Sequence, residues 1–175
     1  MSANALNNYS RLATPVGELL LTASDTALTG VYFPTSRRGP PPTHQAGWIE
    51  DNGQGPASEL LARAAQQLTE YFRGTRTTFD LPLEALGSQF EHRVWNALRT
   101  IPYGTTTSYG DLARRLGDVN ATRAVGAANG KNPIPIIVPC HRVIGAHGDL
   151  TGFGGGLERK RWLLEHEGAL MRLGA

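Results

Sequence analysis

A proline-interrupted apolar segment constrains this chain more than any other feature. Residues 132–143 read Asn-Pro-Ile-Pro-Ile-Ile-Val-Pro-Cys-His-Arg-Val, with three prolines in the seven residues 133–139. Because proline lacks an amide donor and has a fixed φ, this segment cannot be a central β-strand. We expect a rigid, extended, edge-like segment that ends at the single cysteine, Cys140, and buries little of that side chain.

Cys140 is the natural candidate nucleophile, because a thiolate attacks an alkyl carbon far better than a hydroxyl does. A free thiol has a pKa near ~8.5, so it needs a neighbouring base, and the adjacent His141 could serve as one. The alternative is a buried, chemically inert cysteine. A single cysteine also excludes an internal disulfide and a cysteine-based zinc site, so we expect no metal and no cofactor.

The first half of the chain has the pattern of a small α/β unit. Short apolar runs broken by turn residues predict antiparallel strands at residues 9–12, 19–21 and 28–33. Residues 34–56 are rich in proline, glycine and polar side chains, which predicts a long surface loop. Apolar residues at helical spacing then predict a helix that Ser58 caps and that ends before Gly74.

The second half has the pattern of a set of short helices. Ser88 followed by Glu91 is a capping-box pattern, and a further helix is expected from Ser108. Another runs from about Asn120 to Gly130 after a short glycine turn, which is helix-turn-helix spacing. This last helix has small residues and one arginine, Arg123, so it could approach a narrow minor groove or, alternatively, pack against another helix.

Charge is distributed unevenly along the chain. Residues 1–87 hold 6 basic and 8 acidic side chains (net −2), and residues 88–175 hold 11 and 7 (net +4). A basic C-terminal half suits a partner with phosphates. No apolar stretch reaches the ~20 residues that cross a bilayer, and the start of the chain does not have a signal-peptide pattern. We therefore expect an intracellular protein without membrane contact, cytoplasmic or, in a eukaryote, nuclear.

The segment 132–143 resembles the signature of the O6-alkylguanine-DNA alkyltransferase family. Other family-like motifs extend the resemblance across residues 88–168, namely Val94-Trp95, Ile101-Pro102-Tyr103-Gly104, Ser108-Tyr109, Arg123-Ala124-Val125-Gly126, Gly154-Gly155-Gly156 and Trp162-Leu163-Leu164-Glu165-His166-Glu167. Before residue 88 the resemblance is confined to length, the order of elements and the motif Tyr71-Phe72-Arg73-Gly74.

The resemblance implies an α/β (α+β) fold in two parts. Residues 1–82 would form an RNase H-like α/β domain, and residues 83–175 a helical, winged-helix-like domain for DNA binding and alkyl transfer. The implied partner is double-stranded DNA that contains O6-alkylguanine, with O4-alkylthymine as a further substrate. Transfer to the cysteine would be irreversible, so each molecule would act once. We expect a monomer, with cooperative binding along DNA left open.

The resemblance also assigns roles to single residues. Cys140 would accept the alkyl group and His141 would deprotonate it through a water molecule. Glu167 would orient His141, Asn132 would brace the active-site turn, and Tyr109 would give a proton or hydrogen bond to the departing guanine.

For recognition, the resemblance implies that Arg123 fills the gap left when the lesion is flipped out of the duplex. The other implied DNA contacts are Ser108, Thr122, Ala124 and Ala128. The base pocket would be lined by Val143, Phe153 and Gly154. Two of these depart from the family pattern, because many relatives carry tyrosine in place of Phe153 and some carry serine in place of Gly154.

Two other functions compete with alkyl transfer. The first is a protein that binds alkylated lesions without chemistry, but relatives of that kind replace the cysteine that this chain keeps. The second is a thiol hydrolase or protease that uses Cys140 and His141, which would need an oxyanion hole and multiple turnovers.

Overall fold

The computed structural model describes residues 7–35, 43 and 47–171. Its contacts divide the chain into two compact units, Met1–Leu86 and Gly87–Ala175. The backbone of Leu28 bonds to Pro82 and Glu84, so this stretch pairs with the first unit. A domain boundary after residue 82 stays a prediction. No helix within the described ranges is long and apolar enough to cross a membrane.

A four-stranded sheet forms the frame of the first unit. Its strands β1 (Asn8–Thr14), β2 (Gly17–Ala23) and β3 (Leu28–Tyr32) are antiparallel, which confirms the three predicted strands. A short strand, β4 (Ile49–Glu50), pairs parallel to β1 and gives the order β3-β2-β1-β4. It lies within the predicted loop 34–56, so that prediction is wrong at β4. Residues 36–42 and 44–46 of the loop lie outside the described residues.

One long helix, α1 (Pro56–Phe72), packs on this sheet. Its buried apolar side chains recur at helical spacing, as predicted, at Leu60, Leu61, Ala64, Leu68 and Tyr71. The prediction that Ser58 caps the helix is wrong, because the helix begins at Pro56, whose fixed φ and missing amide suit its first turn. Gly74, with φ 78°, donates its N–H to the Tyr71 carbonyl and ends the helix as predicted.

The second unit begins with helix α2 (Gln89–Leu98). The Ser88 hydroxyl accepts from the Glu91 amide at 3.1 Å, and the Glu91 carboxylate accepts from the Ser88 amide at 3.0 Å. The predicted capping box is therefore confirmed. Val94 and Leu98 lie on the buried face of α2 and are fully excluded from solvent.

Two short helices follow a two-residue strand, β5 (Thr107–Ser108). Helix α3 (Tyr109–Arg115) is capped by Ser108, as predicted. Helix α4 (Thr122–Gly130) begins slightly later than predicted, because Val119–Ala121 form a 3-10 turn. The Trp95 indole donates to the Ala128 carbonyl at 2.9 Å and ties α2 to α4.

The proline segment is a tight turn and not the extended strand-like segment that we predicted. The Val138 amide donates to the Ile134 carbonyl at 2.9 Å, and Pro135 forms an isolated bridge with Val138. Ile136 has φ 73°, a left-handed conformation that costs a branched residue about 1–2 kcal/mol. The buried contacts of Ile136, which is 1% exposed, offset this cost.

The chain then returns to the start of α3. Strand β6 (Val143–Ile144) pairs parallel to β5, with Thr107 opposite Val143 and Ser108 opposite Ile144. A glycine-containing loop leads to the last helix, α5 (Leu157–His166), after which Glu167 turns inward. The pairing of β5 with β6 holds the start of α3 beside the chain that follows Cys140.

Candidate active site

Cys140 begins a 3-10 turn, Cys140–Arg142, directly after the proline segment. It is 5% exposed, so the expectation of an exposed thiol is wrong: the turn points the side chain inward. Burial raises the pKa of the thiol, while a hydrogen bond from the Asn132 side chain, the charge of Lys160 and nearby backbone N–H groups act in the opposite direction. At rest Cys140 is therefore a protonated thiol.

His141 lies next to the thiol in sequence and is tied to Glu167. Its Nε2 is 2.7 Å from Oε2 of Glu167, and both side chains are fully buried. Burial lowers the pKa of His141, although the hydrogen bond and charge of Glu167 partly oppose this. Nδ1 of His141 is buried and has no hydrogen-bond partner among the described residues. A neutral His141 that donates through Nε2 thus leaves Nδ1 as a proton acceptor.

Glu167 collects hydrogen bonds from three directions. Besides His141, it accepts from Arg142 Nε at 2.8 Å and Nη2 at 3.1 Å, and from the Gly104 amide at 3.4 Å. Burial alone would raise the pKa of Glu167, but His141 and Arg142 hold it well below its usual range. The sequence reasoning missed Arg142. The sequence does contain a signal for Arg142: it directly follows His141, and a carboxylate that is buried beside His141 needs a cation.

Asn132 closes the turn that precedes the cysteine. Its Nδ2 donates to the Val138 carbonyl at 2.8 Å, and its Oδ1 accepts from the Ile134 amide at 3.0 Å. One side chain thus bonds to both ends of the reversed proline segment. This is the geometry expected of a residue that braces the active-site turn.

Tyr109 and Lys160 meet at one backbone carbonyl. The Tyr109 hydroxyl donates to the Thr151 carbonyl at 3.0 Å, and Lys160 Nζ donates to the same carbonyl at 2.7 Å and to that of Val143 at 2.6 Å. Lys160 is fully buried, and burial lowers its pKa to about 8. Sequence reasoning missed it, although it occupies an inward helical position with Leu163 and Leu164.

The predicted pocket residues lie in β6 and in the loop between β6 and α5. Val143 is fully buried, Phe153 is half-buried and Gly154 is exposed. A methyl group added at Gly154 would meet no atom within 4 Å. The position of Gly154 therefore leaves open space at the end of the loop.

The predicted DNA contacts divide between the two faces of α4 and the start of α3. Arg123 and Ala124 are exposed, and Thr122 and Ser108 are half-buried. Ala128 is different, because it is 2% exposed and its carbonyl accepts from Trp95. This burial argues against a DNA contact by the Ala128 side chain and fits the alternative that α4 packs on another helix. The small residues of α4 thus pack against the protein on one face of the helix and are exposed to solvent on the other.

The described residues contain no group of three or more histidine, cysteine, aspartate or glutamate side chains that could hold a metal ion.

Two family models match this chain, one in its first half and one in its second half. Residues 7–85 match the family described as 6-O-methylguanine DNA methyltransferase, ribonuclease-like domain. Residues 89–169 match the DNA binding domain of the same description. The expected two-part α/β fold is confirmed.

Two relatives that align with this chain over most of their length are both named methylated-DNA–protein-cysteine methyltransferase. The chain is 48% identical over 159 residues to the methylated-DNA–protein-cysteine methyltransferase of Mycolicibacterium paratuberculosis, and the alignment covers 91% of each chain. It is 41% identical over 168 residues to the constitutive enzyme of that name from Bacillus subtilis, covering 93% of this chain and 96% of the relative.

Solved structures agree with these relatives. A crystal structure of the Mycobacterium tuberculosis O6-methylguanine methyltransferase superposes with a TM-score of 0.82 at 46% identity, covering 94% of both chains. The Mycobacterium tuberculosis protein in complex with DNA gives 0.82 at 47% identity, with 93% of both chains covered. From its sequence and its fold, this chain belongs to the methylated-DNA–protein-cysteine methyltransferase family.

Proposed function

We propose that this protein repairs DNA by transferring the alkyl group from O6 of guanine in a duplex to Cys140. The observation that carries the proposal is the buried thiol followed by a histidine that is bonded through Nε2 to Glu167 and has an unpartnered Nδ1. This arrangement supplies a soft nucleophile and a proton acceptor in one turn. Similarity along nearly the whole length of named alkyl-transfer relatives supports the same reaction.

In the proposed reaction, Sγ of Cys140 attacks the alkyl carbon while the bond from that carbon to O6 breaks. The thiol proton passes through a water molecule to Nδ1 of His141, and the bonding electron pair stays with the guanine. The base then takes up one proton while His141 gives back the proton that it gained, so a thiol and an O6-alkylguanine become a thioether and guanine. Glu167 stabilises the imidazolium that forms, because its carboxylate lies 2.7 Å from Nε2.

Tyr109 would stabilise the departing base. Its hydroxyl donates to the Thr151 carbonyl. Burial raises the pKa of this phenol, the hydrogen bond with Thr151 acts in the opposite direction, and the charge of Cys140 raises the pKa further. The phenol therefore stays protonated, and its single O–H, once turned away from the Thr151 carbonyl, can donate a hydrogen bond to negative charge on the guanine.

A stacked base cannot reach a thiol that is 5% exposed, so the reaction requires the nucleotide to leave the duplex. Arg123 is exposed on α4 and is the long side chain of a helix with small neighbours. We propose that Arg123 occupies the space left in the base stack, with Thr122, Ala124 and Ser108 against the backbone. A monomer contains every residue that this reaction uses.

The thioether is chemically stable, and nothing in the cluster can reverse it, so each molecule would act once. The test is a titration of O6-methylguanine duplex with a fixed amount of protein, counting restored guanine. The proposal predicts a plateau at one guanine per protein. Continued turnover would contradict single use, and tight binding with no restored guanine would indicate lesion binding without transfer.

A further inference from the structure

Two consecutive residues bind the same buried carboxylate. Arg142 reaches both oxygens of Glu167, through Nε at 2.8 Å and Nη2 at 3.1 Å, and its Nη1 donates to the Ile101 carbonyl at 2.7 Å. The guanidinium also lies 5.7 Å from the centroid of the Tyr103 ring. His141 binds Oε2 of the same carboxylate. The guanidinium is thus fixed on several sides and only 6% of the residue is exposed.

The charges of this cluster determine where a proton can reside. An arginine is always protonated, so Arg142 and the ionised Glu167 neutralise each other. A proton added to His141 would then place a further positive charge in the protein interior, where an unpaired charge is costly. Without Arg142, the Glu167 charge would be available to hold a proton on His141.

We propose that Arg142 is a positioning residue that keeps His141 neutral by neutralising the Glu167 carboxylate, so that His141 is free to accept the Cys140 proton. This inference rests on the proposed alkyl transfer and assigns one more residue, Arg142, a role in it. In the proposed reaction Arg142 contacts neither the Cys140 thiol nor the guanine. It acts through the carboxylate that it shares with His141.

Other charged and titratable groups face the same site. Lys160 on α5 acts on the pKa of His141, and on the turn itself the backbone of His141 acts on the pKa of Cys140. Glu167 and Arg142 act in opposite directions on the pKa of Tyr103, which lies in the chain before β5. The positive charge of Lys160 acts with Arg142 in disfavouring a proton on His141, and burial does the same. Substitution of Arg142 leaves the charge of Lys160 in place. A comparison of Arg142 variants therefore isolates the contribution of Arg142 to the protonation state of His141.

The test compares Arg142→Gln, which removes the charge, with Arg142→Lys, which keeps it but not the two-point contact. Single-turnover methyl transfer is measured as a function of pH. We expect Arg142→Gln to be slower than Arg142→Lys by on the order of tenfold or more at about pH 7, and to recover as the pH rises, because a protonated His141 cannot accept the thiol proton. The Arg142→Lys variant should keep the pH profile of the unsubstituted protein at a lower rate.

A uniform loss in Arg142→Gln at every pH would overturn the inference, since a purely structural role has no reason to depend on protonation. If either variant fails to fold, the unsubstituted protein decides by NMR of the His141 ring nitrogens. A neutral ring protonated at Nε2 at about pH 7 supports the inference, and a charged ring overturns it. The proposed function fails separately, if the unsubstituted protein transfers no methyl group.

Discussion

His141 Nε2 and Glu167 Oε2 lie 2.7 Å apart, and both side chains are fully excluded from solvent. A histidine so placed has one ring orientation, because rotation would break its bond to a buried carboxylate. The catalytic base is thereby fixed by a residue 26 positions further along the chain.

Substitution of Glu167 should remove this orientation. We expect Glu167→Gln to slow methyl transfer from duplex DNA by on the order of 100-fold, because the base is no longer held or stabilised when it gains a proton. Glu158→Gln is the matched control, since Glu158 is exposed on α5, the helix that Glu167 follows. Single-turnover rates that fall equally in both variants would contradict the role of Glu167.

Arg123 should matter for the duplex and not for the chemistry. Loss of its side chain removes the group that offsets unstacking, which costs a few kcal/mol, so Arg123→Ala should repair duplex DNA at least about tenfold more slowly. Its reaction with free O6-benzylguanine should be unchanged. The exposed Arg73 of the first unit provides a charge-matched control, Arg73→Ala. An equal loss with free base and duplex would rule out the proposed role.

Tyr109→Phe removes the donor to the leaving base. A hydrogen bond to developing charge is worth about 1.5–3 kcal/mol, so the transfer rate should fall on the order of 10- to 100-fold while duplex affinity stays unchanged. Binding and transfer are measured separately, the first with Cys140→Ala in the background. A loss confined to affinity would assign Tyr109 to DNA binding instead.

Lys160 should order the loop between β6 and α5. Lys160→Met leaves the Val143 and Thr151 carbonyls without their charged donor, so amides of residues 145–151 should exchange faster and transfer should slow. Lys131→Met is the control, because Lys131 is exposed. Unchanged exchange in this loop would show that the two hydrogen bonds do not hold it.

Acid should weaken the fold through the same cluster. The pKa values of His141 and Glu167 are both lowered in the folded protein, so the unfolded chain binds more protons below about pH 6.5 for the first and about pH 4.5 for the second. The free energy of unfolding should therefore fall as the pH drops, with each group contributing at most about 1.4 kcal/mol per pH unit. Urea denaturation at several pH values measures this.

The Glu167→Gln variant separates the two groups, because only His141 then titrates. Its stability should fall less steeply with decreasing pH below about pH 4.5, although Glu91, whose pKa the capping box also lowers, still titrates. If the free energy of unfolding has the same slope against pH below about pH 4.5 in both proteins, Glu167 is not the source of this pH dependence.

The features that sequence predicts well are those set by local chemistry. The Ser88–Glu91 capping box and the three N-terminal strands follow from side chains near each other in the chain. Cys140, His141 and Asn132 are predicted as site residues because they lie in one segment, 132–143, that resembles a known family.

Features that depend on distant contacts were missed. The turn at Ile136 exists because its side chain is buried, which outweighs an unfavourable backbone conformation. Lys160 is polar, yet it is buried because two backbone carbonyls need a donor. The resemblance implies a DNA contact at Ala128, but this residue lies on the face of α4 that packs, where its carbonyl accepts from Trp95, 33 positions earlier.

Mass spectrometry tests directly whether Cys140 accepts the alkyl group. Protein incubated with a duplex that carries one O6-methylguanine is measured intact and as peptides, beside Cys140→Ala. We expect a gain of one methyl group, located on Cys140, equal in amount to the guanine restored and absent from the variant. A methyl group on another residue, or restored guanine without any gain in protein mass, would contradict it.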